Sequence, residues 1–234
     1  MYFSRSIAGR AFSRVKMRLD AVIKIGGSLS RGTGLPSLCQ EISRLGKIHS
    51  LLVVPGGGKF ADRVRDAYRQ YHLSETAAHR MALLAMDQYG YVLNNLVKDS
   101  YLICDPAAAR EAAETRHTAI LLPSAIIARS DPLPNSWQVT SDTIAAWIAQ
   151  AASCPRLVLL KDVDGLMTAG NELILNMSVE KLAGHSGGVD EYLFHFLSSA
   201  RFETWVINGN SPERLYQLLE TGRTFGTKIG HGKT

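Results

Sequence analysis

Lys24-Ile25-Gly26-Gly27-Ser28 follows the apolar run Ala21-Val22-Ile23, and this junction decides the fold. It is typical of a buried strand that opens into a glycine turn. A second junction of the same kind runs from Leu51 to Gly58 and ends in three glycines. Glycine lets the main chain approach a ligand closely, and adjacent N–H groups in such turns bind anions, above all phosphates. Two such turns, with Lys24 beside the first, predict a site where a phosphoryl group passes between two bound partners.

The composition is that of a globular protein with an unusual N-terminus. The chain has 234 residues, of which 46% are hydrophobic, and a net charge of +5. Five basic residues precede the first acid, Asp20, and without them 21 Lys and Arg face 21 Asp and Glu. We therefore expect no nucleic-acid partner and, since no apolar run is long enough to span a bilayer, no membrane partner. Residues 1–16 are expected to be a basic, disordered tail before a single domain at 17–234, with a targeting segment as the alternative.

Cysteine and histidine usage favours a cytoplasmic protein without a metal site built from side chains. The three cysteines are widely spaced and include no Cys-x-x-Cys pair, which is typical of reduced cytosolic thiols. The seven histidines show no metal-ligand spacing.

Apolar, strand-like runs alternate with helical patterns along the chain, which predicts an α/β fold with a mainly parallel sheet covered by helices on both faces. Ligands in such folds bind beyond the carboxyl ends of the strands. Five polar or glycine-rich segments are expected at this carboxyl edge of the sheet: Gly26-Gly27, Gly56–Gly58, Thr140–Thr143, Lys161–Gly165 and Asn208–Ser211. The last of these leads into a helix that ends at Glu220, with Ser211 as the expected N-cap and Pro212 at the first helical position.

Three charged residues at this edge are candidates for the chemistry. Lys24 and Lys161 end apolar strands, where each would stabilise the charge of a transferring phosphate. Asp142 opens a helix and would orient the lysines. The plainer alternatives are a strand-end lysine that reaches solvent and an acid that, with Ser141, simply caps its helix.

Four motifs occur in an order that resembles the amino acid kinase superfamily. They are Lys-x-Gly-Gly-Ser at 24–28, Gly-Gly-Gly at 56–58, Ser-Asp-Thr-Ile-Ala-Ala at 141–146 and Asp-Val-Asp-Gly-Leu at 162–166. The resemblance covers about residues 19 to 230. It implies a three-layer αβα sandwich, with an acceptor-binding lobe at about 19–153 and a lobe that binds ATP and Mg²⁺ at about 154–234.

The resemblance also implies roles for individual residues. Catalytic roles are implied for Lys24 and Asp142, and the place of Lys161 at the end of its strand adds it as the third catalytic candidate. Binding of the nucleotide is implied for Lys24, Gly26, Gly27, Ser28, Lys161, Asp162, Asp164, Gly165 and Leu166. Binding of the acceptor is implied for Gly56, Gly57, Gly58, Lys59, Asp62, Thr140 and Ser141.

Departures from the family pattern narrow the choice of branch. Tyr192 replaces a late lysine that contacts the phosphates in many members, and Lys161, where many relatives have threonine, is the expected substitute. Asp62 replaces the acceptor-binding histidine of isopentenyl phosphate kinases. Asp62, or less favourably Asp87, is therefore the hypothetical partner of an ammonium group on the acceptor. Three stretches look most like the methanofuran-biosynthesis branch, whose kinases convert an aminomethyl-furan-methyl phosphate to its diphosphate: Val189–Leu193, Met86–Tyr91 and Val206–Gly209.

Other functions stay open at this point. The alternative acceptors are uridylate, isopentenyl phosphate and a carboxylate such as acetylglutamate. Uridylate is disfavoured because the usual arginine after the glycines is missing, although Arg63 or Arg65 would replace it. A non-catalytic nucleotide-binding or storage protein is the second class. We also expect a homodimer or higher homo-oligomer, because an apolar stripe on a long helix would suit assembly, with core packing as the alternative: Ala78, Met81, Ala85 and Tyr89.

Overall fold

The computed structural model describes residues 18–130, 132–183, 185 and 187–231. The predicted tail at residues 1–16 lies outside the described residues. The strands are β1 (Ala21–Ile25), β2 (Leu51–Pro55), β3 (Ser100–Ile103), β4 (Thr118–Leu121), β5 (Arg156–Lys161), β6 (Asn176–Ser178), β7 (Glu203–Asn208) and β8 (Thr227–Gly230).

The helices cover both faces of the sheet. Two short 3₁₀ turns lie between a strand and the helix that follows it: Gly27–Arg31 after β1 and Pro106–Ala108 after β3. Within the described residues, none of the helices is long and apolar enough to cross a membrane. The described α-helices are α1 (Leu35–Leu45), α2 (Gly58–Tyr71), α3 (Glu75–Leu96), α4 (Ala109–Glu114), α5 (Pro123–Ser130), α6 (Ser141–Ala151), α7 (Val179–Leu182), α8 (Leu193–Leu197) and α9 (Glu213–Thr221).

The described strands form one sheet in the order β3-β4-β2-β1-β5-β7-β8-β6. Neighbouring strands pair in parallel except β7 and β8, which pair antiparallel, so β8 and its parallel neighbour β6 run against the other six. The prediction of a mainly parallel sheet is confirmed. The antiparallel edge was missed because β6 and β8 have three and four residues, too few for a periodic pattern.

Two hydrophobic cores lie on opposite faces of this sheet, which confirms the three-layer αβα architecture. Alternate residues of β1 enter different cores: Ile23 and Ile25 pack with α1, whereas Val22 packs with α6. This alternation follows from the period of two in a strand, whose successive side chains point to opposite faces.

The start of α9 differs from the sequence prediction. The helix begins at Glu213, and Pro212 occupies the N-cap position without a side-chain cap. Ser211 is therefore not the cap. The carbonyl of Ser211 accepts a hydrogen bond from Arg214 N at 3.0 Å, so the backbone already forms a turn at Ser211. A capping residue typically has an extended backbone instead.

The apolar stripe on α3 is core packing rather than an exposed surface. Ala78, Ala85 and Tyr89 are buried within this chain, and Met81 alone of the four stays partly exposed. The homo-oligomer therefore remains a prediction that this stripe does not support.

The two glycine turns touch each other at the carboxyl edge of the sheet. A Cβ atom on Gly27 would lie 2.5 Å from Gly58 N, and one on Gly56 would lie 2.8 Å from Gly27 N. Both obstacles are backbone atoms, which cannot move aside as a flexible side chain can. Glycine is thus required where the turns after β1 and β2 meet.

We predict that Gly27→Ala lowers the free energy of unfolding by about 1–3 kcal/mol, because the added methyl group forces the two turns apart. Urea unfolding of the variant measures this. The control is Gly230→Ala, whose Cβ would meet nothing within 4 Å. Equal stability of the two variants would contradict the contact between the turns.

Candidate functional site

Lys24, Asp142 and Lys161 meet on one face of the sheet, as their positions in the strands dictate. Val22 and Leu159 pack in the core that α6 covers. Lys24 and Lys161 lie two residues after them in the same strands, so both lysines point to the face covered by α6. Strands β1 and β5 are neighbours, with Lys24 opposite Leu159. Asp142 lies in the first turn of α6, directly above this pair of strands.

The three side chains form a buried ion triad in which one carboxylate serves two ammonium groups. Lys24 Nζ lies 2.7 Å from Asp142 Oδ1, and Lys161 Nζ lies 2.5 Å from Oδ2. Lys24 is 3% exposed and Asp142 is 2% exposed, whereas the side chain of Lys161 is 15% exposed at the edge of the triad. With all three groups charged, the triad carries one uncompensated positive charge.

Burial and mutual attraction set the pKa values of this triad. Burial lowers the pKa of Lys24 to about 8, and the nearby Asp142 only partly opposes this effect. Burial would raise the pKa of Asp142, but Lys24 and Lys161 outweigh it and lower the pKa to about 2. At neutral pH the carboxylate is therefore ionised, and Lys24 keeps its proton less firmly than an ordinary lysine.

Asp190 fixes the helix end that carries Asp142. Its carboxylate accepts hydrogen bonds from Thr140 N (3.0 Å) and Oγ1 (2.8 Å), from Thr143 N (3.0 Å) and Oγ1 (2.6 Å), and from Leu193 N (2.8 Å). Burial, followed by the charge of Asp142, raises the pKa of Asp190. These bonds satisfy amide groups at the start of α6 that lack a partner within the helix.

This arrangement corrects the capping alternative drawn from the sequence, in which Asp142 and Ser141 cap α6. Thr140 occupies the N-cap position, with Asp190 behind it, and this leaves Asp142 to the lysines. Sequence reasoning missed Asp190. The available signal was its place in the stretch Gly187–Tyr192, the part that departs most from the family pattern.

A chamber opens above the triad, and we name it the phosphate chamber. It encloses about 650 Å³ of space that is open to solvent. Four cationic side chains reach it, of which Arg31 was not among the predicted residues. Its walls are Lys24, Gly26, Gly27, Ser28, Arg31, Gly57, Gly58, Ala61, Asp62, Arg65, Thr140, Ser141 and Lys161.

Asp62 holds two arginines at the mouth of this chamber. Its carboxylate lies 2.6 Å from Arg31 Nη2 and 3.0 Å from Arg65 Nη1. The hydrogen bond from Arg31 lowers the pKa of Asp62 although burial opposes it. Asp87 does not line the chamber and accepts hydrogen bonds from the amide and hydroxyl groups of Ser124. Both acids suggested for an ammonium group therefore have other partners.

The segments after β5 and β7 meet beside the chamber because Lys161 is paired with Asn208. Asp164 accepts hydrogen bonds from Asn208 Nδ2 at 2.9 Å and from Arg214 Nη1 at 2.6 Å, and these lower its pKa. Asp162 accepts a hydrogen bond from Ser28 Oγ at 2.8 Å, which ties this region to the first glycine turn.

Seven predicted residues are not part of the chamber wall. Three of them, Asp142, Asp162 and Asp164, have the partners described above, and the other four lie elsewhere. Lys59 is exposed on α2, and the amide of Gly56 donates to Ile25 O at 2.9 Å. Gly165 packs against Thr227, and Leu166 is buried in the core with its amide donating to Thr227 Oγ1 at 2.7 Å. Their roles in binding remain predictions.

The site suits phosphate groups better than a protein-bound metal ion. The first amide groups of the 3₁₀ turn at Gly27 and of α2 have no acceptor within their own helices, and anions bind at such ends. Among the described residues, no group of three or more His, Cys, Asp or Glu side chains could hold a metal ion. A Mg²⁺ ion would therefore be held mainly by phosphate oxygens and water, as is usual for this ion.

Comparison with known proteins agrees with this chemistry. The profile of the amino acid kinase family matches residues 21–196. A [5-(aminomethyl)furan-3-yl]methyl phosphate kinase from Methanocaldococcus jannaschii is 29% identical over 89% of this chain and 96% of its own length. A uridylate kinase from Thermococcus kodakarensis is 21% identical over 83% of this chain and 90% of its own length. The crystal structure of a uridylate kinase from Archaeoglobus fulgidus has a TM-score of 0.71 at 19% identity, and covers 90% of this chain and 100% of that one.

We predict that Asp190→Asn lowers the free energy of unfolding by about 2–4 kcal/mol, since an amide NH₂ group would face donors that now find an acceptor. Urea unfolding measures the change. The matched control is Asp66→Asn, an exposed acid paired with Arg63, which should cost less than about 0.5 kcal/mol. An Asp190→Asn variant as stable as the control would refute this role.

Proposed function

The chain belongs to the amino acid kinase family, and from this premise we propose that it is an ATP-dependent kinase that converts a phosphate monoester to a diphosphate. The acceptor we propose is [5-(aminomethyl)furan-3-yl]methyl phosphate, for methanofuran-type cofactor biosynthesis. The observation that carries the proposal is the buried Lys24–Asp142–Lys161 triad below a chamber lined by glycine turns.

The proposed reaction needs charge neutralisation and alignment more than it needs covalent chemistry by the protein. An oxygen of the acceptor phosphate attacks the γ-phosphorus of ATP, the bond to the β,γ-bridging oxygen breaks, and ADP leaves. Lys24 and Lys161 meet the negative charge of the transferring group, and Asp142 keeps both ammonium groups in place. When bound, Mg²⁺ would neutralise further charge on the phosphates of ATP.

The chamber provides separate supports for two phosphate-bearing partners. The turn at Gly26 and Gly27, with Ser28 tied to Asp162, faces the segments proposed to hold the nucleotide. The turn at Gly57 and Gly58 faces the acceptor. Arg31 and Arg65 stand at the acceptor side, where they compensate for the arginine that is missing directly after the glycines.

The choice of acceptor rests on the aminomethyl-furan-methyl phosphate kinase described above, which aligns along nearly its whole length. Uridylate is the second candidate, because Arg65 lies at the chamber and uridylate kinases share the fold. A non-catalytic nucleotide-binding protein would not need the triad, so its presence favours turnover. A cytoplasmic location is proposed with this function because ATP and reduced thiols are found there.

The test is ADP release with ATP and Mg²⁺ against four acceptors: [5-(aminomethyl)furan-3-yl]methyl phosphate, isopentenyl phosphate, UMP and acetylglutamate. We expect turnover with the furan phosphate. Lys24→Ala should reduce kcat about 100- to 1,000-fold because it removes a cation from the transferring phosphate. Lys98→Ala is the matched control and should change little, because Lys98 is exposed and does not line the chamber.

Two outcomes would contradict the proposal. Turnover of UMP in preference to the furan phosphate would contradict the proposed acceptor but support the kinase reaction. ATP binding without ADP release for any of the four acceptors would favour the non-catalytic alternative.

A further inference from the structure

A second pocket adjoins the phosphate chamber along helix α3, and we name it the α3 pocket. It takes in about 560 Å³ of space, part of which is open solvent. It shares five wall residues with the phosphate chamber: Gly57, Ala61, Arg65, Thr140 and Ser141. A molecule whose phosphate lies in the chamber would therefore extend the rest of its structure into this pocket.

The wall of the α3 pocket is mostly apolar, and it includes one aromatic ring. Ala82, Leu83 and Met86 come from α3, while Val139 and Ile144 come from the segment that leads into α6 and from α6 itself. Trp137 contributes its indole ring, beside which Tyr68 packs edge-on at 5.3 Å. Such a wall suits a flat, weakly polar ring, which stacks on or against aromatic surfaces.

Glu75 supplies a carboxylate at the solvent end of this pocket. It shares one face of α3 with His79, Ala82 and Met86, as the spacing of a helix requires. Glu75 and Met86 stand about 16 Å apart along the helix axis, at opposite ends of the part of α3 that lines the pocket. Among the described residues that line the pocket, Glu75 is the one acid.

The charges of this pocket leave Glu75 available for a ligand. Arg65, the other permanently charged group of the wall, is engaged by Asp62 at 3.0 Å and lies over the Trp137 ring at 5.7 Å. Glu75 forms no ion pair with any residue of the described part of the chain. A cation on the ligand is the natural partner of such a carboxylate.

We propose that Glu75 recognises a primary ammonium group on the acceptor while the α3 pocket holds the ring that carries it. This inference rests on the proposed function and deepens it, since it names the residue that selects an aminated acceptor. Glu75 thereby takes the role that the sequence suggested for Asp62 or Asp87, whose carboxylates are held by Arg31 and Arg65 and by Ser124.

The test compares two phosphates that differ only in the amino group: [5-(aminomethyl)furan-3-yl]methyl phosphate and (5-methylfuran-3-yl)methyl phosphate. Their Kd values are measured by calorimetry and their kcat/KM values by ADP release, for the wild-type protein and for Glu75→Gln. We expect Glu75→Gln to weaken binding of the aminated phosphate about 10-fold or more, and to change binding of the other phosphate less than about twofold.

Glu111→Gln is the matched control, because Glu111 also lies in the first turn of a helix and is exposed, but does not line the pocket. It should leave both Kd values unchanged. Equal losses for the two phosphates in Glu75→Gln, or no loss for either, would overturn the role of Glu75. Because binding is measured apart from turnover, tight binding that depends on Glu75 without ADP release would instead reject the proposed kinase reaction and leave the ammonium site standing.

Discussion

The site depends on one interaction, the buried pairing of Asp142 with Lys24 and Lys161. Lys24 and Asp142 are buried and Lys161 is partly exposed, and burying charges is costly unless the geometry pairs them closely. Distances of 2.7 and 2.5 Å provide that pairing, but one carboxylate cannot neutralise two ammonium groups. Burial is the main cause of the lowered pKa of Lys24, and the charge of Lys161 adds to it. Phosphate groups bound in the chamber would compensate for the remaining positive charge of the triad. Their binding would therefore relieve this electrostatic cost.

The fold serves this interaction by placing its parts on rigid elements. Strands β1 and β5 bring the two lysines to the same face, and α6 brings the acid above them. Asp190 then fixes the start of α6 through five hydrogen bonds, so that a residue from a distant loop determines where Asp142 stands. The glycine turns meet so closely that no side chain fits between them, and both turns line the chamber above the triad.

Much of this arrangement is predictable from the sequence, and the remainder has a physical reason to be hidden. Lys24, Asp142 and Lys161 each lie in a local motif at the end of a strand or the start of a helix, and parallel strands gather such ends at one edge. Arg31 pairs with Asp62, 31 positions away, and four of the five hydrogen bonds to Asp190 come from Thr140 and Thr143, 47 to 50 positions away, so no local pattern marks these contacts. The antiparallel pairing of β8 is set by tertiary contacts, and the wound turn before α9 overrides the capping preference of Ser211.

Titration of the Lys24 ammonium group by NMR, with isotope-labelled lysine and Lys24→Arg to assign the signal, tests whether the triad is a phosphate-binding device. We expect a pKa of about 8 in the free protein, well below the usual 10.5, and an increase when a non-hydrolysable ATP analogue binds with Mg²⁺. A pKa near 10.5 that the nucleotide does not change would contradict this role.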